Sequence, residues 1–174
     1  MPLKEAFDAV SAPQTFACDG VLYIQQENGT WCAAGFDNPR PYLSLFSRIH
    51  AQHVASILPN AFKGCDTIYE ITLREGVKEI GKGAFDGCTK LRLIRLPASL
   101  THIAEGALPD LGSKLFEDEQ AAFWAAQQSD PWARKEYGLY DPIPAESKPG
   151  EIWVVRDSYA EHYCHEHGIA CIAK

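Results

Sequence analysis

The chain lacks several things that would have decided its class at once. No apolar run approaches the roughly 18–20 residues needed to span a bilayer. Cations are scarce: 16 Lys and Arg stand against 23 Asp and Glu, a formal net charge of -7 over 174 residues. That argues against nucleic-acid binding, which needs basic residues clustered on one face. The opening MPLKEAFDAV holds one Lys, two acids and no apolar core, so it does not read as a signal peptide. The expectation is a cytoplasmic protein, and a trimmed piece of a secreted or cell-surface protein would read the same. The cysteines at 18, 32, 65, 88, 164 and 171 form no C-x-x-C pair, so the usual zinc and redox spacings are missing. What remains is ordinary for a globular domain, 46% hydrophobic and 22% charged, and long enough for one core.

What the chain does have is self-similarity. LPNAFKGC at 58–65 returns as GKGAFDGC at 81–88. An offset of 23 aligns Val54, Val77 and Leu100; Ile57, Ile80 and Ile103; Ala61, Ala84 and Ala107; and Phe62, Phe85 and Leu108. The same offset pairs Ile68 with Leu91, Ile71 with Ile94 and Leu73 with Leu96. Every matched position is apolar or small, as a core shared between stacked units requires. The I-x-L of 71–73 and 94–96 has period two and predicts a short strand. VKEI and LTHI predict a second, shorter extended segment. GKGAFDGC predicts a tight turn and one helical turn, with Phe85 plugging the core, Gly87 at positive φ and Cys88 filling the narrow space behind it. Cys65 and Cys88 then read as small buried thiols, with a disulfide framework the weaker alternative.

The stretch ITLREGVKEIGKGAFDGCTKLRLIRLPASLTHIAEGAL at 71–108 resembles the BspA-like leucine-rich repeats of many bacterial surface proteins. Their pattern is roughly L-x-x-I-x-I-P-x-x-V-x-x-I-G-x-x-A-F-x-x-C. The resemblance covers about 45–112 and 151–172, and implies a non-enzymatic scaffold for protein–protein interaction with no cofactor. Two departures stand out: Gly76 and Ser99 occupy the place of the Asn ladder of better-known leucine-rich repeats, and Val155 replaces the Pro expected after a strand.

Aligning IWV at 152–154 with IRL at 94–96 gives a spacing of 58, so 35 extra residues have been inserted between Leu111 and Gly150. EDEQAAFWAAQQ at 117–128 predicts a helix with acids at its front. SDPWARKEYG at 129–138 predicts a second, with Asp130 as N-cap, Pro131 first and Gly138 as the stop. Phe116, Phe123 and Trp124 would cover the open side of the coil. Around the Glu27-Asn28-Gly29 turn, FACDGVLYIQQENGTWCAAGF predicts two strands, with Trp31 packed beneath. Residues 39–53 fit the repeat poorly and read as a degenerate first unit. Ser158 with Glu161 forms a capping box for a closing helix that Gly168 ends, with Tyr159 and Tyr163 on one face.

The expected architecture is therefore mixed α/β and β-rich: a short leucine-rich-repeat solenoid with 23-residue repeats, forming a single domain. Its parts are an N-terminal hairpin cap at 1–44, repeats at 45–110, a helical insertion at 111–150, and a last strand and capping helix at 151–174. The outward ladder offers Thr72, Arg74, Leu93, Arg95 and Trp153 to an unknown protein partner, since Arg and Trp are enriched at binding hot spots. Alternatively Trp153 lies under the insertion and the arginines only keep the surface wet. A second reading places binding on the insertion through Trp132, Tyr137 and Tyr140, with the repeats as inert support. His162, His165 and Glu166 on the closing helix form a weak metal candidate, more simply read as a solvated face. Cys164 with His167 lacks an orienting third group for nucleophilic catalysis. No catalytic constellation, membrane insertion or nucleic-acid site is expected, and the pattern leaves oligomeric state open.

Overall fold

Short aliphatic–polar alternations closed by Gly or Pro favour strands too brief to stand alone, so they must pair between distant segments. In the computed structural model, which describes residues 14–113, 115–116 and 148–174, they do so in a sheet-rich fold with one helix among the described residues. In chain order the strands are β1 (Thr15–Cys18), β2 (Val21–Gln25), β3 (Trp31–Phe36), β4 (Tyr42–Ser44), β5 (Arg48–Ile49), β6 (Gln52–Ile57) and β7 (Glu70–Thr72). There follow β8 (Glu79–Ile80), β9 (Leu93–Arg95), β10 (His102–Ile103), β11 (Leu115–Phe116), β12 (Lys148–Pro149), β13 (Glu151–Val154) and β14 (Ile172–Ala173), with helix α1 (Tyr159–Glu166) before the last.

Two ladders face each other across one core. The first is a five-stranded sheet in the order β14-β13-β9-β7-β4, and every pair in it is parallel. Its register sets Leu43, Ile71, Ile94 and Ile152 side by side, all buried. The second runs β1-β2-β3-β6-β8-β10, with β5 joined to β6. There Ile57, Ile80 and Ile103 align on parallel strands and are likewise buried. Parallel strands buried in this way need a crossing at each step, and the A-F-x-G-C corners provide it.

At the corners Phe62 and Phe85 stack with centroids 5.7 Å apart and planes 6° from parallel, and Phe36 extends the stack at 6.4 Å from Phe62. Backbone bonds join one corner to the next: Phe62 N–H donates to Ala84 O at 2.9 Å and Gly64 N–H to Asp86 O at 2.7 Å. The expected helical turn in GKGAFDGC is instead a run of four-residue turns, in which Ala84, Asp86 and Cys88 N–H donate to Gly81, Gly83 and Phe85 O. Gly87 has φ +71° and lies where a Cβ would sit 3.4 Å from Gly64. At Gly81 a Cβ would come within 2.4 Å of Pro59 N. The Cys88 thiol donates to Phe62 O at 3.0 Å, and all six cysteines are free thiols.

The N-terminal segment has three antiparallel strands rather than two, β1 pairing β2 and β2 pairing β3. The extra turn is Asp19–Gly20, with φ of 50° and 78°, a two-residue hairpin geometry that Asp-Gly favours. Phe16, Tyr23, Trp31 and Phe46 pack together there. Residues 39–53, expected as a degenerate unit, supply both β4 of the parallel ladder and a hairpin in which Arg48 faces His53. β3 then passes its edge to β6 in parallel fashion.

At the other end α1 covers the edge of β10. The Tyr159 hydroxyl accepts from Ile103 N–H at 3.4 Å, and the Tyr163 hydroxyl donates to Ala104 O at 3.1 Å. Two phenols thus meet backbone groups that an open edge would expose. Ser158 Oγ accepts from Glu161 N–H, but the Glu161 carboxylate reaches Asp157 N–H rather than closing on Ser158. The helix ends with Gly168 at φ +65° and Ile169 N–H on Cys164 O, a Schellman arrangement. β14, which the sequence reading missed, then joins β13.

β11 and β12, which flank the stretch expected as an insertion, pair antiparallel with Phe116 in register with Lys148. The two helices expected at 117–128 and 129–138, with Trp132, Tyr137 and Tyr140, lie outside the described residues.

Candidate functional site

Because side chains alternate across a strand, each buried column of the parallel ladder implies an outward one beside it. One such row is Ser44, Thr72, Arg95, Trp153 and Ile172, in register on five strands. A second is Tyr42, Glu70, Leu93 and Glu151. The structure therefore brings Thr72, Arg95 and Trp153 together on one face. Arg74 lies at the end of β7, exposed, with its Nε donating to Ser44 Oγ at 2.9 Å. Leu93 departs from expectation: it is only 9% exposed, between Glu70 and Glu151, and offers little to a partner.

Trp153 also differs from the exposed anchor that the pattern suggested. The Arg95 guanidinium lies 4.7 Å from its ring centroid and the Lys174 ammonium 4.4 Å from it. Its Nε1–H donates to Glu151 Oε2 at 2.6 Å. Arg95 in turn donates to Glu70 Oε2 at 3.1 Å and to Thr72 Oγ1 at 3.2 Å. The indole is half-buried and held in place, and what it presents are the cations around it. A further cluster went unread in the sequence: Tyr42 stacks on Tyr69 at 6.3 Å, with Arg92 4.9 Å over the Tyr69 ring. Burial raises the pKa of Tyr42, reinforced by the Glu70 carboxylate and opposed by Arg92. Lys174 escaped notice because β14 is only two residues long.

At the C-terminal ends of these strands lies an open groove of about 460 Å³, lined by Ser47, Thr72, Arg74, Glu75, Pro97 and Val155 above Leu73 and Leu96. The corner beside it replaces an Asn ladder with different chemistry. Ser99 Oγ accepts from Gly76 N–H at 2.9 Å and donates to Val77 O at 2.8 Å. The Glu75 carboxylate accepts from the N–H groups of Ala98 and Ser99.

The closing-helix candidates are not assembled into a site. His162, His165 and Glu166 are exposed, and His162 Nδ1 lies 2.8 Å from Ser158 O in its own helix. Among the described residues no three His, Cys, Asp or Glu side chains are grouped to hold a metal ion. His167 stacks on Tyr163 at 4.0 Å and its Nδ1 meets Tyr163 O. Cys164 is fully buried, and burial, with the neighbouring Cys171 thiol, pushes its pKa up to about 12. That thiol stays protonated at neutral pH, the opposite of an activated nucleophile. No helix among the described residues is long and apolar enough to cross a membrane.

Part of the chain matches a known family model. Residues 43–115 match the model of the BspA type leucine rich repeat region (6 copies). A leucine-rich repeat protein from Bacteroides capillosus ATCC 29799 is 17% identical, with a TM-score of 0.45 over 52% of this chain and 88% of that one. A leucine rich cell surface protein from Faecalibacterium prausnitzii A2-165 is 16% identical, with a TM-score of 0.43 over 56% of this chain and 25% of that one. A leucine-rich repeat protein from Bacteroides ovatus ATCC 8483 is 32% identical, with a TM-score of 0.42 over 49% of this chain and 24% of that one. The chain thus spans about a quarter of the length of the last two. No curated protein matches it.

Proposed function

From its BspA type leucine rich repeat region at residues 43–115, we propose that this chain is a non-enzymatic scaffold that recognises a protein partner with the outward face of its parallel ladder. The scaffold is a short solenoid of 23-residue turns, closed by the N-terminal strands at one end and by α1 at the other. Support for the period comes from Ile71 beside Ile94 and Ile57 beside Ile80, each pair 23 residues apart on adjacent strands.

The observation that carries the reading is the contrast between the two sides of those strands. Inward positions repeat one chemistry, whereas outward ones run Ser44, Thr72, Arg95, Trp153 and Ile172 with a fixed cation–indole–cation group among them. Preordered side chains of this type bind with little entropy lost on docking. Affinity capture from an extract of the cell that makes the protein tests the proposal, using wild type, Arg95→Ala and Trp132→Ala. Loss of the captured partner with Arg95→Ala alone supports the ladder. Loss with Trp132→Ala alone would move the site to the insertion.

A further inference from the structure

Resting on that reading, we propose that the groove at the C-terminal ends of the ladder strands takes an extended segment of the partner protein, with an apolar side chain between carboxylates. Glu70 and Glu151 stand in the row at the N-terminal ends, one engaged by Arg95 and the other by the Trp153 indole. Arg74 and Lys174 stand at the opposite ends, and among the described residues no carboxylate pairs with either. Glu75 lines the groove, yet both of its oxygens accept backbone N–H groups of the next turn.

Arg74 lines the groove, whereas Lys174 lies beyond Val155 with its ammonium over the Trp153 ring, and the floor on the Arg74 side is apolar. Leu73, Leu96 and Pro97 are buried beneath it and Val155, 38% exposed, forms a wall. Such a groove rewards an apolar side chain at its centre, one carboxylate toward Arg74 within it and a second, past Val155, toward Lys174. A nucleic-acid strand is a poorer fit. The net charge of -7 repels a polyanion, and the Trp153 ring that could stack a base already carries two cations.

The test is selection of random 12-residue displayed peptides on the full chain, followed by fluorescence polarisation with a labelled synthetic winner. Enriched sequences should carry acidic residues on both sides of an apolar one. Binding should weaken by about tenfold or more with Arg74→Glu, with Val155→Asp, and with amides in place of the peptide's carboxylates. It should also weaken several-fold between about 50 and 300 mM salt. Both substituted residues are exposed, and an unchanged urea midpoint establishes that the variants are folded. Neutral or basic winners, affinity indifferent to Arg74→Glu and Val155→Asp, displacement of the peptide by an equal concentration of single-stranded oligonucleotide, or no enrichment at all would each overturn the proposal. If no acidic peptide is selected while Arg95→Ala still abolishes partner capture, the groove assignment fails and the ladder reading survives.

Discussion

Ile94 and Arg95 are neighbours in the chain and belong to different worlds. On the inner side of the ladder, Ile94 lies between Ile71 and Ile152, one aliphatic side chain after another. On the outer side, Arg95 lies between Thr72 and Trp153 and makes different contacts with each. Repetition is cheap to maintain inside, because a column of like shapes packs at every step. Outside, water can satisfy almost any residue, so a side chain held by specific partners reflects something other than folding. The inner column specifies that the chain coils, and the outer row is free to specify what it meets.

Substitutions inside should therefore unfold the chain, and those outside should spare it. The largest effect belongs to Phe85→Ala, which removes a fully buried ring stacked on Phe62 and should cost about 3–5 kcal/mol in urea unfolding. Ile94→Ala should cost somewhat less, about 2–4 kcal/mol, in the same assay.

Next comes pH. Burial raises Tyr23 from 10.0 to about 12, despite the Phe46 N–H that bonds its oxygen, and Cys164 rises from 9.0 to about 12. Each folded pKa lies above its unfolded value, so each group's contribution is intact below the unfolded pKa and falls away as pH climbs toward 12. Urea midpoints should be level near pH 8 and decline above pH 9–10. The decline should be shallower in Tyr23→Phe, by on the order of 2 kcal/mol at the alkaline limit.

Ser99→Ala strands Gly76 N–H and Val77 O and should cost about 1–2 kcal/mol. Arg95→Ala closes the series, with a change of about 1 kcal/mol or less, since its bond to Glu70 is partly exposed. An Arg95→Ala loss as large as that of Ile94→Ala would erase the distinction between the two sides.

The inner side was legible in the sequence for a plain physical reason: burial admits few residue types, so periodic apolar positions leave a visible column. Ile57, Ile71, Phe62 and Phe85 declared themselves by their spacing. The outer row was half legible. Period two put Thr72, Arg95 and Trp153 on one face, but could not tell that Leu93 would be shielded or that Lys174 would reach the indole. Those contacts depend on register between distant strands, and β14 is too short to leave a pattern of its own. The Asp19–Gly20 turn was readable from its dipeptide and overlooked beside the longer Glu27–Gly29 turn. Residues 39–53 concealed β4 because their spacing to the next unit is not 23: Leu43 sits beside Ile71, 28 positions away.

The most direct test is to measure both properties on Arg95→Ala: the urea midpoint of unfolding and the amount of partner captured from the native extract. The prediction is a midpoint close to wild type together with loss of the partner. A folded variant that captures as much partner as wild type would contradict the account.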